Sequence, residues 1–206
     1  MKSNISSSQR YKITFVLVAI NVAVYVYTSI AGGNFIITNF TNTSAQLAQY
    51  NAAVFNGAYY QLFTSMFVHA SIVHIAGNML FLVIFGLRGE EMFTLPEYLG
   101  VYLLGGLAGN VLSLALGPNL ISVGASGAIF ALFGAVAVFA RRSLGQSILG
   151  ALLFGFFLLI ISTGPDVNYF AHIGGLVSGL AMGYILSKTH KHRHSYDVIH
   201  HYITPF

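Results

Sequence analysis

The chain of 206 residues contains no cysteine and little charge, with nine Lys or Arg and five Asp or Glu. Without cysteine it cannot form a disulfide framework, a thiolate metal site or a cysteine nucleophile. Only 7% of its residues are charged, too few to cover a water-soluble globule, in which about a quarter are charged. Disordered chains are polar, whereas 56% of these residues are hydrophobic. The composition therefore predicts a polytopic helical membrane protein.

Proline is also scarce, and its four positions lie outside six stretches that contain no Asp, Glu, Lys or Arg. Each stretch has 18 to 23 residues, enough for a helix to cross a hydrocarbon layer of about 30 Å. The spans must be helical, because lipid offers the backbone no hydrogen-bond partners. We therefore predict an all-α fold, a polytopic membrane protein with a six-transmembrane-helix bundle. The predicted spans are 13–31, 65–87, 98–116, 123–140, 144–162 and 168–187.

The basic residues are unevenly distributed over the connections. They are Lys2, Arg10 and Lys12 before the first span, Arg88 after the second, Arg141 and Arg142 after the fourth, and Lys188, Lys191 and Arg193 after the sixth. The other connections have no Lys or Arg, so both termini are predicted to be cytoplasmic. Because these residues form no single solvated face, we predict no nucleic acid partner. A cleaved signal peptide at the first span is an open alternative, although its apolar run exceeds a usual signal core.

The predicted organisation is a single membrane unit with two short flanks. Residues 1–12 form a cytoplasmic N-terminal segment, 13–187 the membrane core in the lipid bilayer, and 188–206 a cytoplasmic basic, His-rich tail. We interpret the tail as a segment near anionic headgroups rather than a metal site. The uncharged outer loop 32–64 carries seven aromatic residues, which favours a segment lying in the membrane interface. A solvated loop with aromatic anchors is the alternative.

Three predicted spans contain polar groups, which are rare in hydrocarbon and usually functional. His74, Ser126 and His172 precede the charge that follows their spans by 14, 15 and 16 residues, respectively. A helix rises about 1.5 Å per residue, so these side chains lie about 21, 22 and 24 Å above the inner edge. They share one layer, roughly 6 to 9 Å below the outer surface of the hydrocarbon.

Small residues recur at every fourth position of the fourth and sixth predicted spans, which allows two helices to approach closely. They are Gly127, Ala131 and Ala135 in the fourth, and Ala171, Gly175, Gly179 and Gly183 in the sixth. If the stripes face each other, Ser126 comes within hydrogen-bonding distance of His172. A neutral imidazole is the usual base for a serine nucleophile, and no predicted span holds a carboxylate for a triad. We therefore predict a catalytic dyad of Ser126 and His172.

The oxyanion formed in such a reaction needs nearby hydrogen-bond donors. We predict the backbone N–H of Ser126 and the side chains of His74 and Asn78, because Asn78 lies one turn deeper on the same helix face as His74. His69, about 28 Å above the inner edge, is predicted to be a supporting residue near the outer interface. No metal or cofactor is predicted, since His69 and His74 lack the intervening Glu of a zinc motif.

Three motifs, in order along the chain, resemble those of a known family. They are His69-x-x-x-x-His74-x-x-x-Asn78, Gly124-Ala125-Ser126-Gly127 and Ala171-His172-x-Gly174-Gly175-x-x-x-Gly179. They fall on alternate predicted spans and on the same side of the membrane. On these motifs, residues 13–187 resemble a rhomboid intramembrane serine protease of the basic six-span bacterial type.

The resemblance implies a serine endopeptidase that cleaves transmembrane protein substrates near the outer side of a bacterial cytoplasmic membrane. It implies that Ser126 is the nucleophile, that His172 is the base and that His74 and Asn78 bind the oxyanion. It also implies that the fifth span and the loop 163–167 gate substrate access. Phe130 stands where several members have a tyrosine that packs on the imidazole. The supporting residues are Gly124, Gly127, Phe130 and His69.

Two other functions are open from the sequence. One is a catalytically inactive relative that binds membrane clients, although all the residues of the predicted site are present. The other is a transporter that relays protons through intramembrane histidines. A transporter usually has a carboxylate or a broken helix at mid-depth, and neither is visible in the predicted spans.

Overall fold

The structure, a computed structural model, describes residues 12–33, 41–144, 150 and 168–203, without the side chains of 143, 144 and 191–203. Within these ranges the chain is mainly helical. The helices are α1 (Lys12–Ala31), α2 (Asn42–Leu47), α3 (Asn51–Phe55), α4 (Gln61–Thr64), α5 (Ile72–Met92), α6 (Leu95–Ser113), α7 (Ser126–Leu144) and α8 (Tyr169–Ile203). Short 3-10 turns follow α4 (Ser65–Phe67) and α6 (Leu114–Leu116). Two antiparallel strands, β1 (Gln49–Tyr50) and β2 (Ile121–Ser122), pair Gln49 with Ser122.

Four described segments are long and apolar enough to cross a membrane, and they match the first, second, third and sixth predicted spans. They are Lys12–Ala31, Ile72–Met92, Leu95–Leu116 and Tyr169–His190. The fourth predicted span is helical as α7, and the fifth lies outside the described residues except Leu144 and Gly150. The chain is thus a helical integral membrane protein, whereas six spans remain a prediction.

The starts of α5 and α6 differ from those of the second and third predicted spans. The second predicted span begins at Ser65, but α5 begins at Ile72, after Ser71 caps it by accepting a hydrogen bond from the His74 N–H at 3.1 Å. The predicted depth of His69 was counted along a continuous helix, and α5 does not extend to this residue. Pro96 lies in the first turn of α6 and so inside the third span. A first-turn proline is tolerated because its missing N–H would have no partner within the helix.

The backbones of α7 and α8 touch along the two stripes of small residues. A β-carbon added to Gly175 would overlap the carbonyl oxygen of Gly127, one on Gly179 that of Ala131, and one on Gly183 that of Ala135. The predicted pairing of the stripes is therefore confirmed over three contact points. α6 packs against the same two helices, since a β-carbon on Gly109 would overlap the carbonyl oxygen of Ala171 near the start of α8. α7 is consequently the buried centre of the bundle, with Ala131, Leu132 and Ala135 fully buried.

Hydrogen bonds from buried side-chain amides connect the segment 41–64 to α6. Nε2 of Gln49 lies 2.8 Å from Oδ1 of Asn51 and 2.9 Å from Oγ of Ser113. Nδ2 of Asn51 donates to the carbonyls of Ser113 and Gly117 at 3.0 and 2.8 Å. Several aromatic side chains of this segment are exposed, as an interfacial segment requires; they are Tyr50, Phe55, Tyr59, Tyr60 and Phe63. The segment is thus a fixed part of the fold, and its place in the membrane interface remains a prediction.

We expect Gly179→Val to destabilise the bundle by about 1 to 3 kcal/mol, because its side chain would meet the backbone of α7 in a filled interface. Gly77→Ala is the matched control: it changes a glycine of α5 where an added β-carbon meets nothing within 4 Å. Thermal unfolding in detergent measures both effects. Equal unfolding temperatures for the two variants would contradict the close α7–α8 contact.

Candidate active site

Ser126 is the first residue of α7, and the chain reaches it through a turn that requires glycine. Gly124 has a φ of +117°, which residues with a β-carbon rarely adopt. Its N–H donates to the carbonyl of Ser65 at 2.9 Å, which ties the turn to the segment before α5. The N–H of Ile129 donates to the carbonyl of Ala125 at 3.0 Å. The helix therefore begins immediately after Ala125 and fixes the backbone of Ser126.

His172 lies near the start of α8, where Asn168 organises the helix end. Oδ1 of Asn168 accepts a hydrogen bond from the Ala171 N–H at 3.0 Å, the contact of a helix N-cap. Nδ2 of the same amide donates to Oγ of Ser122 at 2.5 Å. Ser122 lies on β2, in the strand that leads to Ser126. One side chain thus links the helix that carries His172 to the segment that carries Ser126.

The hydroxyl of Ser126 and the imidazole of His172 are in direct contact. Oγ and Nε2 are 2.8 Å apart, a hydrogen-bonding distance. The imidazole is buried and stacks on the ring of Phe130, with ring centroids 4.7 Å apart and planes inclined by 28°. Phe130 follows Ser126 by one turn, so α7 supplies both the hydroxyl and the aromatic surface that orients the imidazole. Nδ1 of His172 has no hydrogen-bond partner among the residues described.

Two polar side chains of α5 lie beside the glycine turn. A β-carbon on Gly124 would lie 2.8 Å from Nε2 of His74 and 3.8 Å from Nδ2 of Asn78. Nδ2 of Asn78 also donates to the carbonyl of His74 at 3.0 Å. Both side chains are therefore packed against the backbone two residues before Ser126. Gly124 is required here for space as well as for its φ angle.

His69 lies in the segment before α5 and is fully buried. Its ring meets that of His74 edge-on, with centroids 5.2 Å apart. Nδ1 is 3.3 Å from the carbonyl of Phe67, and Nε2 has no hydrogen-bond partner within the described part of the chain. His69 therefore supports the ring of His74 from the segment before α5, in a buried position.

The predicted site residues come together from α5, α7, α8 and the segment before α5. Gly127 has a packing role, since a β-carbon there would approach the carbonyl of Ala171 to 3.2 Å. Asn168 and Ser122 were not among the residues predicted for the site. The N-cap role of Asn168 could have been predicted, because asparagine directly before an apolar helical run is a common N-cap. The loop 163–167 lies outside the described residues.

A family model named Rhomboid domain matches residues 56–189. The chain belongs to the rhomboid family. The YdcA rhomboid-family protein of Bacillus subtilis is 28% identical over 88% of this chain and 92% of its own length. Rhomboid protease GluP of the same organism is 30% identical over 81% of this chain and 33% of its own. RHOMBOID-like protein 6, mitochondrial, of Arabidopsis thaliana is 39% identical over 62% of this chain. This rhomboid chain spans less than half the length of the Arabidopsis relatives that it matches.

We expect Asn168→Ala to lower the free energy of unfolding by about 1 to 2 kcal/mol, because it removes the N-cap of α8. Asn168→Asp should remain near wild type, since a carboxylate accepts from the Ala171 N–H and from the Ser122 hydroxyl. Asn56→Ala is the control, an exposed asparagine whose amide donates to the carbonyl of Ala52. Denaturant unfolding in detergent compares the three. If Asn168→Ala and Asn56→Ala unfold alike, Asn168 does not hold the helix end.

Proposed function

We propose that this rhomboid chain is an intramembrane serine endopeptidase that cleaves transmembrane segments of other membrane proteins. The observation that carries the proposal is the 2.8 Å contact between Oγ of Ser126 and Nε2 of His172. A serine hydroxyl paired with a buried imidazole is the arrangement used for acyl transfer. The name of GluP, a rhomboid protease, supports the same reaction class.

The proposed acylation step uses the two side chains in turn. Nε2 of His172 accepts the hydroxyl proton while Oγ of Ser126 attacks the carbonyl carbon of the scissile peptide bond. The carbonyl oxygen becomes the oxyanion of a tetrahedral intermediate. His172 then returns the proton to the peptide nitrogen, the carbon–nitrogen bond breaks, and an ester on Ser126 remains.

Three donors are proposed to stabilise the oxyanion. The N–H of Ser126 belongs to the first residue of α7, where no carbonyl of the same helix reaches it. The positive end of the helix dipole lies at the same place and favours negative charge. His74 and Asn78 are proposed as the side-chain donors, because both lie against Gly124, two residues before Ser126.

Hydrolysis of the ester completes the proposed reaction with the same base. Nε2 of His172 takes a proton from a water molecule while the water oxygen attacks the ester carbon. His172 then returns this proton to Oγ of Ser126 as the bond between Oγ and the ester carbon breaks. The two peptide products carry the new carboxyl and amino ends. The cycle uses only this chain's residues and water, without a metal or cofactor.

The proposed substrate is a transmembrane segment that unwinds locally at the site. A formed helix holds its carbonyls in hydrogen bonds, so a scissile bond has to leave the helix before Ser126 attacks it. We place cleavage near the outer side of a bacterial cytoplasmic membrane, with both termini cytoplasmic. The flanks 1–12 and 188–206 then lie inside the cell and the core 13–187 in the bilayer.

We expect Ser126→Ala and His172→Ala to abolish cleavage of a single-span substrate by the purified chain, because each removes one partner of the acylation step. The matched controls are Ser178→Ala and His190→Ala. Oγ of Ser178 donates to the carbonyl of Gly175 within α8, and His190 contacts Glu97. Both controls should cleave at nearly the wild-type rate.

A fluorophosphonate probe distinguishes an enzyme from an inactive relative. It should label the wild-type chain and Ser178→Ala, but not Ser126→Ala. Folded wild-type protein that neither reacts with the probe nor cleaves the substrate would favour the inactive relative. Proton flux in liposomes that survives Ser126→Ala would favour a transporter.

We expect Asn78→Ala to lower kcat by about 10²-fold while KM changes little, because an oxyanion donor acts mainly in the transition state. Gly77→Ala, on the same helix, is the control. Steady-state kinetics on the single-span substrate measure both constants. A rise in KM with unchanged kcat would assign Asn78 to substrate binding instead.

A further inference from the structure

Two cations contact one tyrosine ring at the end of the bundle opposite Ser126. The guanidinium carbon of Arg142 lies 4.4 Å from the ring centroid of Tyr184, and Nζ of Lys188 lies 4.5 Å from the same centroid. Tyr184 and Lys188 are one turn apart on α8, whereas Arg142 comes from the end of α7. These three residues are called the Tyr184 cluster below.

Hydrogen bonds through Ser187 hold Arg142 of the cluster against α8. Nε of Arg142 donates to Oγ of Ser187 at 3.2 Å, and that buried hydroxyl donates to the carbonyl of Tyr184 at 2.7 Å. This bond leaves the terminal amino groups of the Arg142 guanidinium without a hydrogen-bond partner among the described residues. The guanidinium therefore keeps a planar pair of N–H donors, and the ammonium of Lys188 contacts the same ring.

No described carboxylate neutralises the cluster. Glu90 accepts a hydrogen bond from the Thr14 N–H, Glu91 pairs with Arg88, and Glu97 bonds to His190 and the Thr94 N–H. Contact with the ring face attracts each cation but leaves its charge uncompensated. Two positive charges thus remain within 4.5 Å of the centroid of one aromatic ring.

The cluster lies at the membrane face opposite the proposed dyad. Arg142 follows Ser126 by 16 residues on α7, and Lys188 follows His172 by 16 residues on α8, which places both cations about 24 Å along the helices. Toward the bilayer centre, α8 exposes Val177, with 59% of its surface accessible. Cations at a helix end above an exposed apolar surface match the two chemical parts of a phospholipid.

We propose that the Tyr184 cluster is a binding site for the phosphate of an anionic glycerophospholipid. The guanidinium of Arg142 donates two parallel hydrogen bonds to phosphate oxygens, and Lys188 adds a point charge. The acyl chains lie along the exposed surface of α8. This inference does not depend on proteolytic activity.

The test is native mass spectrometry of the full chain in detergent, titrated with phosphatidylglycerol or phosphatidylcholine. Phosphatidylglycerol should bind in preference, and Arg142→Gln or Lys188→Gln should each weaken its binding about fivefold, the effect of one basic residue at an anionic surface. Tyr184→Phe should bind as wild type, whereas Tyr184→Leu should bind more weakly because the ring platform is lost.

Arg141→Gln is the matched control, since Arg141 carries the same charge at the adjacent, exposed position and contacts no described ring. If it weakens binding as much as Arg142→Gln, the lipid senses only overall charge and the site is refuted. Equal binding of phosphatidylcholine would also refute it. Displacement of the lipid by millimolar inorganic phosphate would show a site for free phosphate instead. Lys188→Gln keeps the Arg142–Ser187 bond, so its effect is separable from a loss of helix packing.

Discussion

The contact between the backbones of α7 and α8 is the constraint on which the site depends. Oγ of Ser126 reaches Nε2 of His172 at 2.8 Å only because the two helices touch where Gly175 and Gly179 lack side chains. A side chain at either position would separate the helices by more than the tolerance of a hydrogen bond. Glycine inside a helix costs about 1 kcal/mol relative to alanine. Close backbone packing in lipid, where the hydrophobic effect between helices is absent, offsets that cost.

A second set of contacts fixes the turn before Ser126. Nδ2 of Asn110 on α6 donates to Oγ of Ser65 at 3.0 Å, and the Ser65 carbonyl accepts from the Gly124 N–H at 2.9 Å. Asn168 holds the other side of the turn through Ser122. Polar groups buried in a membrane protein are costly unless they are paired. The same pairs that satisfy these groups therefore also determine the direction in which Ser126 points.

Two features of the site were predictable from the sequence: which helix faces pack together, and which polar side chains lie at the same depth. The small-residue stripes predicted the α7–α8 register, and counts along the helices placed Ser126 and His172 in one layer. The sequence did not predict that α5 starts at Ile72, because residues 65–71 contain no Asp, Glu, Lys, Arg, glycine or proline that would mark the break. The contacts of Ser65 and Ser122 could not be predicted either, since they join residues that are distant in the chain. No local sequence motif marks these two serines. Periodicity reports which face is buried, whereas such contacts arise from tertiary packing.

No carboxylate of the described residues contacts His172, and its described surroundings explain how the imidazole is oriented. A carboxylate buried beside it would lose its hydration, and an ionised group in a region of low dielectric constant requires several compensating hydrogen bonds. The ring of Phe130 restricts the plane of the imidazole by stacking at 4.7 Å, and the cap at Asn168 fixes the helix that carries it. Neither contact introduces charge. In the proposed mechanism, orientation therefore comes from packing, while the charge that develops on the imidazole is balanced by the oxyanion formed beside it.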